Sequence, residues 1–230
     1  MSGSTTTCWE TITAAANGEA AQRDVLARRY RDPVAAYLRA RWAGSTMQQE
    51  VDDATQEVFV ELFRAGGALQ KAVPKEEAVG GFRALLYGVA RNVALRFEDR
   101  RVRRREHQAP SGLLTHGLVE DESRLSQAFE RAWAGTIMSE AAQRMAENAQ
   151  RSGPAAQRRV DLLRLRFGDG LPIREIADRW QASAEELHHQ YAEARREFRH
   201  ALCQAVAFHC PDATKQDVES ECARLLVSLQ

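Results

Sequence analysis

Apolar residues recur at every third or fourth position through most of the chain, which is the spacing of one face of an α-helix. No two segments alternate apolar and polar residues in the way that half-buried β-strands do. The pattern therefore predicts an all-α protein. Its helices are expected at residues 19–42, 48–64, 82–105, 125–151, 156–167, 173–180, 183–207 and 215–229.

Residues 107–121 interrupt the helical pattern and are the best candidate for a domain boundary. Pro110, Gly112 and Gly117 in this segment favour turns and loops over helix. We therefore expect two small helical domains joined by a linker, with a helical extension at the C-terminus. The predicted ranges are a tail at 1–19, a first domain at 20–106, a linker at 107–124, a second domain at 125–204 and the extension at 205–230.

Charge is segregated along the chain although its total is balanced. The 32 Lys and Arg residues equal the 32 Asp and Glu residues, so the formal net charge is zero. Residues 50–61 nevertheless carry five acids and no base, whereas residues 86–106 carry seven arginines against three acids, a local charge of +4. Two faces of opposite charge suggest two partners of different chemistry. The alternative for each is a solvated helix surface that binds nothing.

Two helices, at 173–180 and 183–207, are joined by a tight turn and preceded by a further helix. This is the helix-turn-helix arrangement, in which the second helix can enter the major groove of DNA. Ser183 and Glu186 fit a capping box at the start of that second helix. From this motif alone, an ordinary helical hairpin without a role in DNA binding remains the alternative.

The sequence contains no catalytic or cofactor-binding pattern. It has neither a glycine-rich phosphate loop nor a Gly-x-Ser-x-Gly motif, and no nucleophile is paired with a base. We therefore expect a protein that is not an enzyme and has no cofactor and no small-molecule substrate. Cys203, His209, Cys210 and Cys222 are close in sequence but lack the Cys-x-x-Cys spacing of zinc modules, so no metal site is predicted. A metal- or redox-sensing tail stays open as an alternative.

The chain has no run of 18 apolar residues, and its N-terminus lacks a basic segment followed by an apolar one. The first absence argues against a membrane span and the second against a secretory signal. Four cysteines are too few for a disulfide scaffold. We therefore expect a protein without membrane insertion that is located in the reducing cytoplasm.

Three passages together resemble the extracytoplasmic-function sigma factors of bacterial RNA polymerase. Residues 50–59, Glu-Val-Asp-Asp-Ala-Thr-Gln-Glu-Val-Phe, are similar to the acidic segment of the family, which ends in Asp-x-x-Gln-Glu-x-Phe. Residues 82–92 and the arginine run after them resemble the segment that melts the promoter and reads its −10 element. Residues 162–202 resemble the domain that reads the −35 element. The resemblance covers roughly residues 20–205.

The resemblance implies that the two helical domains are sigma domain 2 and the helix-turn-helix sigma domain 4. It implies that the acidic face binds core RNA polymerase through Glu50, Asp52, Asp53, Gln56 and Glu57. It also implies three sets of contacts to promoter DNA. The first set faces the −10 element and consists of Arg91, Asn92 and Arg96. The second set holds phosphates and consists of Arg100, Arg101, Arg103, Arg104 and Arg105, and the third lies on the helix expected to read the −35 element and consists of Ser183, His188, His189, Gln190, Arg195 and Arg196. An anti-sigma protein, which is common in the family, is a further candidate partner.

The chain departs from the family pattern in two places. Leu85 stands where the family usually has Trp, and residues 184–194 of the recognition helix contain no Lys or Arg. The second departure predicts a lower affinity for the −35 element and leaves the expected binding of polymerase unchanged. The function expected is that of a sigma factor, which directs promoter recognition, melting and transcription initiation. The alternative is a helix-turn-helix regulator that acts without the polymerase.

Overall fold

The computed structural model describes residues 8–72, 81–108, 122–209 and 214–227. Ten α-helices contain most of these residues, and no β-strand occurs among them, so the predicted all-α fold is confirmed. The helices are α1 (Cys8–Ala16), α2 (Ala20–Arg41), α3 (Val51–Phe63), α4 (Ala68–Ala72), α5 (Gly81–Gln108), α6 (Glu122–Ser152), α7 (Pro154–Leu163), α8 (Ile173–Trp180), α9 (Ala184–His209) and α10 (Lys215–Val227). A short 3₁₀ helix, Thr46–Glu50, precedes α3, and a π-helical turn, Arg164–Gly168, follows α7.

The chain divides into two compact units, one ending at Thr136 and the other beginning at Ile137. The division falls within α6, whereas the sequence favours a linker at 107–124. Most of that linker, residues 109–121, lies outside the described residues. The start of α6 is therefore part of the first unit.

Aromatic packing explains why the first part of α6 joins the first unit. Trp133 stacks on Tyr30 of α2 with a distance of 4.9 Å between ring centroids. Phe129 meets Tyr87 of α5 edge-on at 5.3 Å. Offset and edge-on aromatic pairs of this kind add to the stabilisation that comes from burying the rings.

Helices α2, α3 and α5 each bury one face in the core of the first unit. The buried positions are Leu26, Tyr30, Val34, Tyr37 and Leu38 in α2, Val51, Ala54, Val58 and Leu62 in α3, and Leu86, Val89, Ala90 and Val93 in α5. These residues have the three- or four-residue spacing on which the prediction rested. Removing their apolar surface from water is the main term that stabilises this unit.

Pro33 lies inside α2, at a position where proline can kink or break a helix. The helix runs from Ala20 to Arg41 without a break. Proline removes one backbone hydrogen bond from a helix interior. Here its neighbours Tyr30, Val34 and Tyr37 are completely buried and hold the helix against the core.

Helix α1 occupies part of the segment that the sequence suggested was a tail. Ile12 and Ala15 are buried, and α1 packs against α2 and α4. Arg23 Nε donates to the Ala15 carbonyl at 2.9 Å and Gln70 Nε2 donates to the Ala16 carbonyl at 2.8 Å. These bonds satisfy carbonyls that the end of a helix leaves unpaired.

In the second unit, α7, α8 and α9 pack around a small apolar core. The members of this core are Leu162, Ile173, Ile176, Ala177 and Leu187. Helices α8 and α9 are separated by three residues, as the sequence predicts.

The turn between α8 and α9 has two local features that end one helix and begin the next. Gln181 has a left-handed backbone, with φ at 50°. Ser183 Oγ accepts a hydrogen bond of 3.1 Å from the Glu186 backbone N–H, which confirms the cap at the start of α9. The Glu186 carboxylate bonds the Gln190 side chain.

The C-terminal helix of the second unit, α10, packs on α9. Helix α9 continues to His209, so the extension predicted from residue 205 begins inside it. Helix α10 contacts α9 and buries Val218, Cys222 and Leu225, whereas Leu226 is 39% exposed. Within the described residues, no helix combines the length and the apolar character needed to cross a membrane.

Candidate functional site

The exposed face of α3 and of the turn before it carries the predicted acidic residues. This acidic surface consists of Glu50, Asp52, Asp53, Gln56 and Glu57, of which Asp52, Asp53 and Gln56 are exposed and the other two half-buried. Among the described residues, Asp52 forms an exposed ion pair with Arg31 at 3.0 Å, while Glu50, Asp53 and Glu57 form none. The acidic surface therefore has a local excess of negative charge.

The local structure of α3 places these carboxylates in water. Ala54, Thr55 and Val58 are buried on the opposite face, and the Thr55 hydroxyl donates to the Val51 carbonyl at 2.7 Å. Asp52 and Asp53 lie in the first helical turn, where the partial positive charge of the helix N-terminus stabilises carboxylates. The exposed carboxylates are thus compatible with a stable helix in the absence of a partner.

An apolar groove lies beside the acidic surface, and the sequence analysis did not identify it. Its volume is about 440 Å³, and it is lined by Arg23, Asp24, Ala27, Gln56, Phe59, Val60, Phe63 and Arg64 of α2 and α3. Val60 is 56% exposed. The position of Val60 is the one indication of this groove in the sequence. Val60 is apolar but lies on the polar side of α3, because it follows Glu57 by three positions and Asp53 by seven.

Five of the predicted arginines of α5, Arg91, Arg96, Arg100, Arg103 and Arg104, are exposed, and Arg101 is half-buried. Two of them form ion pairs inside the first unit. Arg91 pairs with Glu122 of α6 at 3.1 Å, and Arg96 pairs with Glu61 of α3 at 3.1 Å. The side chains of the Arg91–Glu122 pair are about half exposed, whereas Glu61 is only 20% exposed. Exposed ion pairs contribute at most about 1 kcal/mol, so a phosphate group can displace Glu122 from Arg91.

The end of α5 carries the cations that are least neutralised. Arg100 stacks over the Phe97 ring at 4.6 Å, and Arg101 donates to the Thr46 hydroxyl. Arg103 and Arg104 are exposed and have no ion pair among the described residues. We call these four residues the arginine surface. The side chain of Arg105 lies outside the described residues.

Two exposed apolar side chains lie on the same helix as the arginines. Leu95 and Val102 are 40% and 47% exposed and are seven residues apart, so they share one face of α5. Asn92, also exposed, precedes Leu95 by three positions on that face. The site therefore offers polar, cationic and apolar contacts side by side. Leu95 and Val102 could not be recognised as exposed from the sequence, because they are apolar residues in a helix whose other large apolar residues are buried or half-buried.

Glu98 has a structural role in this region. It accepts hydrogen bonds from Arg41 at 2.7 and 2.9 Å and from the Trp42 indole N–H at 2.8 Å. The bond to Glu98 raises the pKa of Arg41 above its usual value. Glu98 thereby joins the middle of α5 to the end of α2 and orients the arginine surface that follows.

The outward face of α9 presents few cations in its first half. His188 and His189 are exposed, and His189 Nε2 lies 3.4 Å from a Glu193 carboxylate oxygen. Gln190 is half-buried, and its amide donates to Glu186 at 2.7 Å. Arg195 and Arg196 are exposed one to two turns later.

Ser183 caps α9 through its oxygen, as described above, so its side chain is oriented by the Glu186 backbone N–H. Glu185 and Glu186, both exposed, add negative charge to the first turn of the same helix. Negative charge at this end of α9 opposes close approach of DNA phosphates.

In the described part of the chain, no group of three or more His, Cys, Asp and Glu side chains could hold a metal ion. The candidate ligands named from the sequence therefore form no such group there. His209 is buried beside Glu140, with 3.2 Å between Nε2 and the carboxylate. Cys203 and Cys222 are adjacent to each other, and Cys210 lies outside the described residues.

A scan against protein-family models finds no match to the chain, and a search of curated proteins finds no relative.

Proposed function

We propose that the chain is a sigma factor of the extracytoplasmic-function type, which binds core RNA polymerase and directs promoter recognition and opening. The observation that carries the proposal is the separation of opposite charges on two neighbouring helices of one unit. Among the described residues, Asp53 and Glu57 of α3 form no ion pair, and neither do Arg103 and Arg104 near the end of α5. A helix-turn-helix in the second unit adds a second element suited to DNA.

The acidic surface is suited to a basic protein partner. Asp53, Glu57 and Val60 follow one another at four and three positions, so they form a stripe on the outer face of α3. A stripe of carboxylates bordering an apolar groove resembles a protein interface, where an apolar centre gives affinity and charges at the rim select the partner. On the family resemblance, that partner is the basic clamp region of the largest polymerase subunit.

The α5 helix is suited to DNA whose strands are being separated. The arginine surface supplies contacts to phosphates, which dominate affinity and make it depend on salt. Arg91, Asn92 and Arg96 lie further back on the helix, beside Leu95, and provide hydrogen bonds and an apolar surface for an unstacked base. In this role the chain carries out no catalytic step and needs no cofactor.

The polymerase contact is tested by gel filtration of the purified full chain with bacterial core RNA polymerase. We expect the wild-type chain to elute with the polymerase and the Asp53→Lys/Glu57→Lys variant to elute alone. The matched control is Glu147→Lys/Asp161→Lys, which changes the net charge by the same amount at exposed positions of α6 and α7. Circular dichroism of each variant establishes that its helical fold is intact.

Co-elution of the control but not of the α3 variant would support the proposal. Equal binding by the α3 variant, or no binding by the wild-type chain, would contradict it. In the second case, binding of duplex DNA by the free chain would favour the alternative function, a helix-turn-helix regulator that acts without the polymerase.

A further inference from the structure

Cys203 of α9 and Cys222 of α10 face each other in the second unit. Their sulfur atoms are 3.3 Å apart, and the Cys222 thiol donates a hydrogen bond to the Cys203 sulfur. A disulfide bond has a sulfur–sulfur distance of about 2.0 Å. The two sulfurs therefore need to approach by about 1.3 Å, starting from 3.3 Å, to reach bonding distance.

The packing of α10 on α9 fixes this juxtaposition. Val218, Cys222 and Leu225 are spaced by four and three residues and are buried together on one face of α10. At the start of the helix, the Thr214 backbone N–H donates to Asp217 at 3.0 Å, and the Asp217 N–H donates to the Thr214 hydroxyl at 3.2 Å. This reciprocal cap and the buried face together set the register of α10 against α9.

The two thiols differ in their access to solvent. Cys203 is partly exposed, whereas Cys222 is 1% exposed. Burial raises the pKa of the Cys222 thiol to about 12. A reagent in solution therefore meets Cys203 first, and Cys222 is held in place to react with the product.

We propose that Cys203 and Cys222 form a reversible disulfide bond that joins α10 covalently to α9. The oxidant is a small-molecule disulfide such as oxidised glutathione. The Cys203 thiolate attacks one glutathione sulfur, the glutathione disulfide breaks, and one glutathione leaves as a thiolate. The Cys222 thiolate then attacks Cys203 Sγ, which forms the bond between the two cysteines and releases the second glutathione.

This exchange is balanced in protons and electrons. The two cysteines lose two protons and two electrons, and the two glutathione molecules gain them as free thiols. Reduced glutathione in excess reverses the reaction. The proximity of Cys222 to Cys203 compensates for its high pKa, because the second attack takes place within one folded unit.

The bond would act on the helix that carries the candidate DNA contacts. Helix α9 is continuous from Ala184 to His209, so Cys203 and the exposed His188 belong to one helix. Oxidation would close the loop from 203 to 222 and hold α10 on the second half of this helix. The pairing of the two cysteines does not depend on the proposed function.

The test is disulfide mapping of the purified full chain after reduction and incubation with oxidised glutathione. Free thiols are blocked by alkylation, and the chain is digested with trypsin. Cleavage after Arg199, Lys215 and Arg224 places Cys203 and Cys210 in one peptide, 200–215, and Cys222 in another, 216–224. We expect the two peptides to be recovered as one cross-linked species that excess reduced glutathione separates.

The Cys210→Ser variant is the matched control, because it removes the other cysteine of the first peptide. The cross-link should persist in this variant and be lost in Cys203→Ser and in Cys222→Ser. A cross-link that survives Cys203→Ser and disappears in Cys210→Ser would overturn the assignment. Oxidised wild-type chain in which all four cysteines are still alkylated, or in which glutathione stays attached to Cys203, would overturn it as well.

Discussion

The contact of Glu98 with Arg41 and Trp42 leads to a quantitative prediction about the first unit. Replacing Glu98 by Ala removes the acceptor of three hydrogen bonds and leaves the Arg41 charge, whose side chain is only 14% exposed, without its carboxylate. Hydrogen bonds to charged groups contribute about 1.5–3 kcal/mol, and loss of one partner of a fully buried ion pair costs about 3–5 kcal/mol. Glu98 itself is 30% exposed, which weakens the interaction.

We therefore expect Glu98→Ala to lower the free energy of unfolding by about 2–3 kcal/mol. In urea this corresponds to a decrease of roughly 1 M in the midpoint of unfolding. Glu98→Gln keeps an acceptor for the Trp42 N–H but loses the charge opposite Arg41, so about half of this loss is expected. Unfolding is followed by tryptophan fluorescence and by far-ultraviolet circular dichroism.

Asp99 provides the control for this experiment, because it is the next residue, exposed and without an ion pair among the described residues. Asp99→Ala should change the free energy of unfolding by less than about 0.5 kcal/mol. Glu98→Ala should also weaken DNA binding, although it removes no arginine, because α5 loses its attachment to α2. If Glu98→Ala and Asp99→Ala have equal effects on stability, the role assigned to Glu98 is refuted.

Three further predictions concern other parts of the chain. The double variant Arg103→Ala/Arg104→Ala should make the affinity for DNA depend less on salt. The slope of log affinity against log salt concentration, measured by fluorescence anisotropy, should fall in magnitude by about 1.8. An unchanged slope would exclude these residues from phosphate contact. Leu187→Ala, at a completely buried position, should destabilise the helix-turn-helix by about 2–5 kcal/mol in thermal unfolding. The partly exposed Leu226 provides its control, and an equally large effect of Leu226→Ala would contradict the core assignment. Burial raises the pKa of Tyr87 to about 12, so its contribution to stability is complete below pH 10 and is lost as the pH rises towards 12. An ultraviolet titration should lose one high-pH tyrosine in Tyr87→Phe, and an unchanged curve would contradict the raised pKa.

Helix positions could be predicted from the sequence because helical periodicity is a local property. Residues 48–64 were expected to be helical, and α3 spans Val51–Phe63 with a 3₁₀ helix directly before it. The turn between α8 and α9 was also predictable, because Ser183 caps α9 by accepting a hydrogen bond from Glu186, three residues later in the sequence. In each of these cases, the interactions that define the element lie within one or two helical turns.

Helix α1 and the apolar groove could not be predicted in the same way. Residues 8–16 contain Trp9 and Ile12 as their only large apolar side chains, too few to show a period. What holds α1 in place is supplied by other parts of the chain, including the side chains of Arg23 and Gln70. The groove likewise exists only where α2 and α3 pack side by side.

The all-helical architecture and the two charged helix faces depend on the order of residues within single helices, so both could be predicted from the sequence. Which of the charges are paired depends on the way the helices pack. Arg96 pairs with Glu61, which is 35 residues away in the sequence, and Arg41 pairs with Glu98, which is 57 residues away. Asp53 and Arg103 have no such partner among the described residues. The contact between Cys203 and Cys222 likewise depends on the packing of α10 on α9. Such contacts depend on how helices pack against one another in space, and the spacing of residues along the chain does not contain that information.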